Sequence, residues 1–200
     1  MRTNGERVDA MDNRRRLVET VGRLLARQGT LTLTELATES GVSRSTTYRN
    51  FTTPNAAIEA FIDDVLTDFE AAITTPGTAN TEPAGRLIEV CRAWGDLVEQ
   101  HGHALVHVRS TEGFLARVRR GDPIIGRIHT LVRTMVEDAI SRGAIRDIDP
   151  DYAVFLWNLL LDPRELVDLA QHNNQSVTRA TEQLTSDYLK ILCHPQPGAT

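Results

Sequence analysis

Residues 33–51, LTELATESGVSRSTTYRNF, read as two short helices joined by a tight turn, and this reading decides the fold. Thr32 stands three residues before Glu35, the spacing of a capping box that satisfies two otherwise orphaned amides. Leu36 and Ala37 supply an apolar stripe. Gly41 follows where a helix end commonly needs a positive φ. Val42 fills the space between the helices, and the Ser43 hydroxyl caps the second one. Arg44, Ser45, Thr46, Tyr48 and Arg49 come next, groups that donate to phosphates and base edges. Together these make a helix-turn-helix with its reading head at the start of the second helix. An ordinary surface hairpin with solvated Arg and Thr side chains is the plainer alternative. It does not account for a capping box, a Gly-Val turn, a Ser cap and a polar basic first turn in one short stretch.

Charge is distributed accordingly. The 200-residue chain carries a net charge of −5. Residues 1–52 hold nine Arg against six Asp or Glu, for +3, and residues 53–200 hold 13 Arg or Lys against 21 Asp or Glu, for −8. A basic unit on an acidic body is expected if only one end meets phosphates. The apolar share of 40% and charged share of 24% are those of a water-soluble globular chain. No uninterrupted apolar run reaches the ~18 residues of a membrane span. The N-terminus lacks the apolar core of a secretory signal. Cys91 and Cys193, the only cysteines, are far apart and suit a reduced, cytoplasmic protein.

Gly41-Val42-Ser43-Arg44-Ser45-Thr46-Thr47-Tyr48-Arg49-Asn50-Phe51, with the helix after it, resembles the DNA-binding domain of the TetR family of bacterial regulators, whose usual text is close to G-V-S-x-G-T-L-Y-R-H-F. The run from Glu137 to Val154, EDAISRGAIRDIDPDYAV, is similar to the A-G-x-(I/L)-R-x-D-x-D-P connection of that family's regulatory domains. The resemblance covers both ends of the chain and leaves residues 75–120 without a signature. It implies an all-α protein of about nine helices: a DNA-binding domain at 1–52, with an arm at 1–11 and a recognition helix at 44–50, and a ligand-binding and dimerisation domain at 53–200. It implies further that Arg44, Ser45, Thr46 and Tyr48 face the major groove. Thr34, Tyr48, Arg49 and Asn50 are then the phosphate contacts. Three departures stand out. Thr47 replaces an apolar residue behind the reading face, Asn50 replaces a common His, and Pro54 stands where many members carry a phosphate-binding Lys.

Along the chain, residues 1–11 read as a disordered arm, and a helix is expected from Asp12 to Gln28 with Leu17, Val21, Leu24 and Leu25 on one face. Arg14, Arg15 and Arg16 lie near its start, equally open to solvation and to phosphate. A fourth helix begins at the Thr53 cap with Pro54 in its first turn and carries Ala57, Ile58, Phe61, Ile62, Val65 and Phe69. Composition makes 74–83 a loop. Five further helices are expected at 83–100, 103–119, 123–142, 150–172 and 176–193. Asp122-Pro123 and Asp149-Pro150 mark two starts, Ser176 caps the last, and Gly143 closes the third. Asp162-Pro163 predicts a kink or restart inside 150–172. Residues 150–172 are too apolar all round for a helix with one wet side. The resemblance implies that the last two helices meet their copies in a two-fold dimer, through Phe155, Leu159, Leu184, Tyr188 and Leu192. Burial within one subunit is the alternative.

Catalytic motifs are missing: no Gly-rich phosphate loop, G-x-S-x-G, HExxH or metal-spaced Cys pair occurs. An enzyme is therefore not expected, nor a cofactor. His103 and His107 are four apart and can share a face, but with no assured Cys or carboxylate partner they make a weak metal site. Cys91, Trp94, His107, Phe114 and Trp157 are the candidates to line an effector cavity, against ordinary core packing. The function expected is that of a homodimeric repressor released from a palindromic DNA operator by an unknown small-molecule effector. Constitutive DNA binding, or protein interaction without an effector, is the alternative.

Overall fold

A computed structural model describes residues 4–74, 83–108 and 112–193. Among these residues the chain is helical, with no strand. The helices are α1 (Asn4–Gln28), α2 (Leu33–Ser40), α3 (Arg44–Asn50), α4 (Pro54–Thr74), α5 (Pro83–Leu105), α6 (Phe114–Arg120), α7 (Pro123–Ser141), α8 (Pro150–Leu160), α9 (Pro163–His172) and α10 (Val177–Cys193), with a 3-10 turn at Val106–Val108 after α5. The expected all-α class is the observed one, with ten α-helices where about nine were expected. The extra helix arises at Asp162-Pro163, which restarts the chain rather than kinking it. Proline cannot continue the hydrogen-bonded ladder of α8, and the Asp162 carboxylate accepts from the Arg164 amide to open α9. Two further expectations are corrected. Residues 4–11 form the first turns of α1 and not an arm. The helix placed at 103–119 is instead the end of α5, the 3-10 turn and α6. Of the loop expected at 74–83, Thr74 and Pro83 are helical and residues 75–82 lie outside the described residues.

Most boundaries follow local chemistry. Aspartates at 122 and 149 each cap a helix that opens on proline. The Ser176 hydroxyl accepts from the Arg179 amide, and the Thr53 hydroxyl from the Ala56 amide. Gly143 takes a φ of 68° just past α7, where an L side chain is strained.

The chain divides into two compact units. The first comprises the residues up to Leu66 with His103–Val108, the second Thr67–Gly102 with the residues from Arg109 on. The first thus adds the front half of α4 and the tip of α5 to the helix-turn-helix. Its core is the buried stripe Leu17, Val21, Leu24 and Leu25 of α1 against Leu36, Ala37, Val42, Phe51 and Ile62. Burial of each Leu, Val, Ile or Phe among these stabilises by about 1.5–3 kcal/mol. His103 and His107 pack into this unit and serve α1. His107 Nε2 donates to the Gly29 carbonyl at 3.1 Å, and His103 bonds the Gly22 backbone.

The second unit is built on α7, whose inward face (Ile124, Ile128, Val132, Met135 and Val136) is buried, and on α5, α8, α9 and α10 around it. The α5 and α10 helices approach very closely. A Cβ at Gly95 would lie 2.6 Å from Thr181 Oγ1, so only glycine fits there. One turn further along α5, Glu99 accepts from the Thr178 amide at 3.1 Å. The two helices therefore run antiparallel. Among the described residues no helix is long and apolar enough to cross a membrane.

Candidate nucleic-acid interface and candidate interior site

The helix-turn-helix assembles as its sequence dictates. Thr32 Oγ1 accepts from the Glu35 amide, and the Glu35 carboxylate accepts from the Thr32 amide at 2.9 Å. The Thr32 hydroxyl also donates to the Glu35 carboxylate at 2.8 Å, and that bond first, with the one from the Thr32 amide, holds the Glu35 carboxyl below the usual carboxylate range. Gly41 ends α2 at a φ of 68°. Val42 is buried, and Ser43 Oγ caps α3 by accepting from the Thr46 amide at 3.2 Å. Thr47 stands in the place of an apolar residue behind the reading face of α3. It is fully buried, and its hydroxyl donates to the Ser43 carbonyl at 3.1 Å. The polar atom is thereby satisfied without leaving the core.

The outer face of α3 carries Arg44, Ser45, Tyr48 and Arg49 exposed, with Thr46 half-buried. Tyr48 is 51% exposed, unusual for so large an aromatic. A hydroxyl relay organises this face. Ser43 Oγ bonds both Ser45 Oγ (3.1 Å) and Thr46 Oγ1 (2.9 Å), and Arg49 Nη2 donates to Thr46 Oγ1 at 3.1 Å. Asn50 is turned inward: its Nδ2 donates to the Thr46 carbonyl at 2.8 Å. The amide donor expected to serve a phosphate is engaged within α3. Thr34 is exposed in the first turn of α2.

Ion pairing sorts the arginines in a way composition cannot. Arg15 pairs with Asp12 and Glu19, Arg16 with Asp12, and Arg27 with Glu39. Among the described residues of the first unit, Arg14, Arg23, Arg44 and Arg49 have no carboxylate partner. Arg14 instead lies over the Phe51 ring, 5.1 Å from its centre, a cation–π contact at the C-terminal end of α3. Three uncompensated guanidinium groups thus belong to α3 or rest on its end.

The effector-cavity candidates separate. Cys91, Trp94 and Trp157 come together in the second unit, all buried. The Trp94 and Trp157 ring centres are 5.2 Å apart, and Phe69 meets Trp94 edge-on at 5.8 Å. Phe114 pairs with His129 at 6.1 Å instead. His107 is exposed in the first unit, committed to Gly29. A 3-10 turn, not the expected helix, carries it. Sequence reasoning missed Thr185, which is buried and faces the Cys91 thiol. Burial pushes that thiol up to about 11, against the opposing influence of Trp157 and Thr185.

Of the expected dimer residues, Tyr188 and Leu192 are fully buried within one chain. Tyr188 donates its hydroxyl to the Ala153 carbonyl at 3.0 Å and ties α10 to α8. Both are core residues, which corrects the expectation. Leu159 remains 57% exposed, and Phe155 and Leu184 are half-buried. Tyr152 and Ile191 are exposed as well. The pairs 152/159 and 184/191 are each seven residues apart, so each forms a stripe along one helix face.

Residues 22–53 match the family model of the IclR helix-turn-helix domain. The match is confined to the helix-turn-helix and so speaks for the motif. No curated protein matches the sequence. The fold is similar to that of a TetR transcription regulator from Haloarcula marismortui, with a TM-score of 0.65 and 16% identity over 92% of this chain and 100% of that chain. It is similar also to a candidate fatty acid metabolism regulator from Clostridium perfringens, at 0.64 and 17% over 90% of this chain and 100% of that one. RolR in complex with its ligand resorcinol gives 0.66 and 15% over 94% and 90%. At such identities the likeness is one of fold: this chain has the all-helical architecture of TetR regulators.

Proposed function

We propose that this chain is a TetR-like transcriptional regulator that binds a palindromic DNA operator as a homodimer and represses until a small molecule releases it. One observation carries the reading: the exposed face of α3 presents Arg44, Tyr48 and Arg49 without a carboxylate partner, on a helix-turn-helix within the TetR architecture. Arg44, Ser45, Thr46 and Tyr48 read bases. Arg49 meets phosphate, as does Thr34 at the start of α2. Asn50 acts by stiffening α3. Dimerisation uses the stripes Tyr152/Leu159 and Leu184/Ile191, with Phe155 at their margin, which leave apolar surface in water on a single chain.

Release requires only that an effector prefer a conformation whose two reading heads do not match the operator. The helices α4 and α5 are each divided between the two compact units and are the continuous routes for such a change. RolR, which shares the fold, holds resorcinol, and that supports a small-molecule effector.

Selection from a random duplex library tests the reading. A two-fold symmetric site should be enriched, bound with an affinity that falls steeply with salt as neutralised phosphates release counterions. A library returned without enrichment would refute it.

A further inference from the structure

The interior of the second unit holds two hydrogen-bond donors that face nothing better than the Cys91 thiol. The antiparallel approach of α5 and α10 at Gly95 and Thr181 sets Cys91, one turn back on α5, against Thr185, one turn on in α10. Trp157 of α8 is laid on the same spot. Cys91, Trp157 and Thr185 are 0%, 1% and 5% exposed. Trp157 Nε1 and Thr185 Oγ1 have no hydrogen-bond partner, and both are turned toward the Cys91 sulfur, a weak acceptor at best.

Their neighbours show how completely this interior otherwise pairs its polar groups. Trp94 Nε1 donates to the Leu161 carbonyl at 2.8 Å, Thr181 to the Val177 carbonyl at 2.9 Å, and Tyr188 to the Ala153 carbonyl at 3.0 Å. Buried donors are rarely left open, because each loses its water without recompense. Two such donors converging on one point therefore call for an occupant.

The surroundings define its chemistry. The buried polar residues among those described are all threonines, with no buried charge. A carboxylate or ammonium group would be stripped of water with no counter-charge to meet it. The burial that pushes the Cys91 thiol up to about 11 keeps it neutral as well. Phe69, Trp94 and Trp157 supply aromatic faces and edges suited to a flat ring.

We propose that Trp157 Nε1 and Thr185 Oγ1 form the polar end of an effector site for a compact, uncharged aromatic molecule that offers one acceptor oxygen. This deepens, and rests on, the reading of the chain as an effector-released regulator. The spot is fully enclosed and protein interiors are close-packed. Admission of the molecule therefore parts α5, α8 and α10 locally, which couples occupancy to a change of conformation.

Three probes of similar shape test the proposal on the full-length protein, by thermal shift and tryptophan fluorescence. They are acetophenone (neutral, one acceptor), ethylbenzene (no acceptor) and benzoate (charged). Acetophenone should raise the melting temperature and change the fluorescence saturably. Ethylbenzene should bind at least about tenfold more weakly, the worth of one satisfied hydrogen bond, and benzoate should have no effect. Thr185→Val keeps the shape and deletes one donor, and Trp157→Phe deletes the other but leaves a cavity. Each should weaken acetophenone, and Thr185→Val should also raise the melting temperature of the free protein, because an orphan donor is gone. An absence of saturable acetophenone binding overturns the proposal, as does equal binding by wild type and both variants. Operator binding is followed in parallel by fluorescence anisotropy. A protein that binds DNA and ignores acetophenone keeps the regulatory reading and loses this site. One that takes acetophenone through both donors and binds no DNA loses the regulatory reading and keeps the site.

Discussion

The guanidinium of Arg14 lies over the Phe51 ring at 5.1 Å, the one arginine of the 14–16 run without a carboxylate partner. The contact fixes a free positive charge beside the end of α3 without neutralising it. Arg15 and Arg16, its neighbours in sequence, are spent on Asp12. Arg14→Gln should therefore lower the salt dependence of DNA binding by about 0.9 in log–log slope per half-site. Arg15→Gln should change it much less. Equal slopes for both variants would remove Arg14 from the interface.

The proposed dimer surface is separate from the buried core. Leu159→Lys with Ile191→Glu alters side chains 57% and 42% exposed. The doubly substituted protein should sediment as a monomer, keep its helical content, and lose tight operator binding. Leu192→Glu, at a fully buried position, should unfold the protein instead. A dimer that survives the double substitution would place the interface elsewhere.

Gly95→Ala should destabilise by roughly 1–3 kcal/mol, the usual cost of overpacking. The added methyl would meet Thr181 Oγ1 at 2.6 Å and its Cβ at 2.8 Å. Urea denaturation reads this as a lower midpoint at unchanged slope; an unchanged midpoint would mean that the two helices part freely.

His103 gives the protein a mild acid sensitivity. Burial, only partly offset by the bond to the Gly22 backbone, holds its imidazole below the ordinary range, with His107 adding to the depression. The unfolded chain binds the proton more readily, so stability is full above the ordinary histidine range of about 6.5 and declines as the pH falls below it. The paired carboxylates Glu35, Asp122 and Asp151 are all held low and respond only at more acid pH. Between pH 7.5 and 5.5 the wild type should lose more stability than His103→Asn; parallel losses would contradict this.

What the sequence made legible was local. Thr32 with Glu35, Gly41, Ser43, Asp122, Asp149 and Asp162 each act within a few residues of themselves, so their caps and turns could be read without the fold. The non-local parts could not. Helical spacing put Leu184, Tyr188 and Leu192 on one stripe, but only packing decides that Tyr188 reaches inward to Ala153. The separation of Arg14 from Arg15 and Arg16 depends on where α1 crosses the end of α3. Thr185 carried no signal as a candidate, because its interest lies wholly in what it fails to bond.

The central claim is that α3 reads base sequence through its first turn. Binding-site selection with wild type, Arg44→Ala and Arg49→Ala tests it most directly. A guanidinium at Arg44 fits bidentate pairing with the O6 and N7 of guanine. Its loss should cost about 1–3 kcal/mol on the preferred site and relax one base pair per half-site. Arg49→Ala should weaken all sequences nearly alike, because a phosphate contact carries no direct sequence information. If Arg44→Ala instead lowers affinity and leaves the selected sequence unchanged at every position, α3 does not read bases in the way proposed.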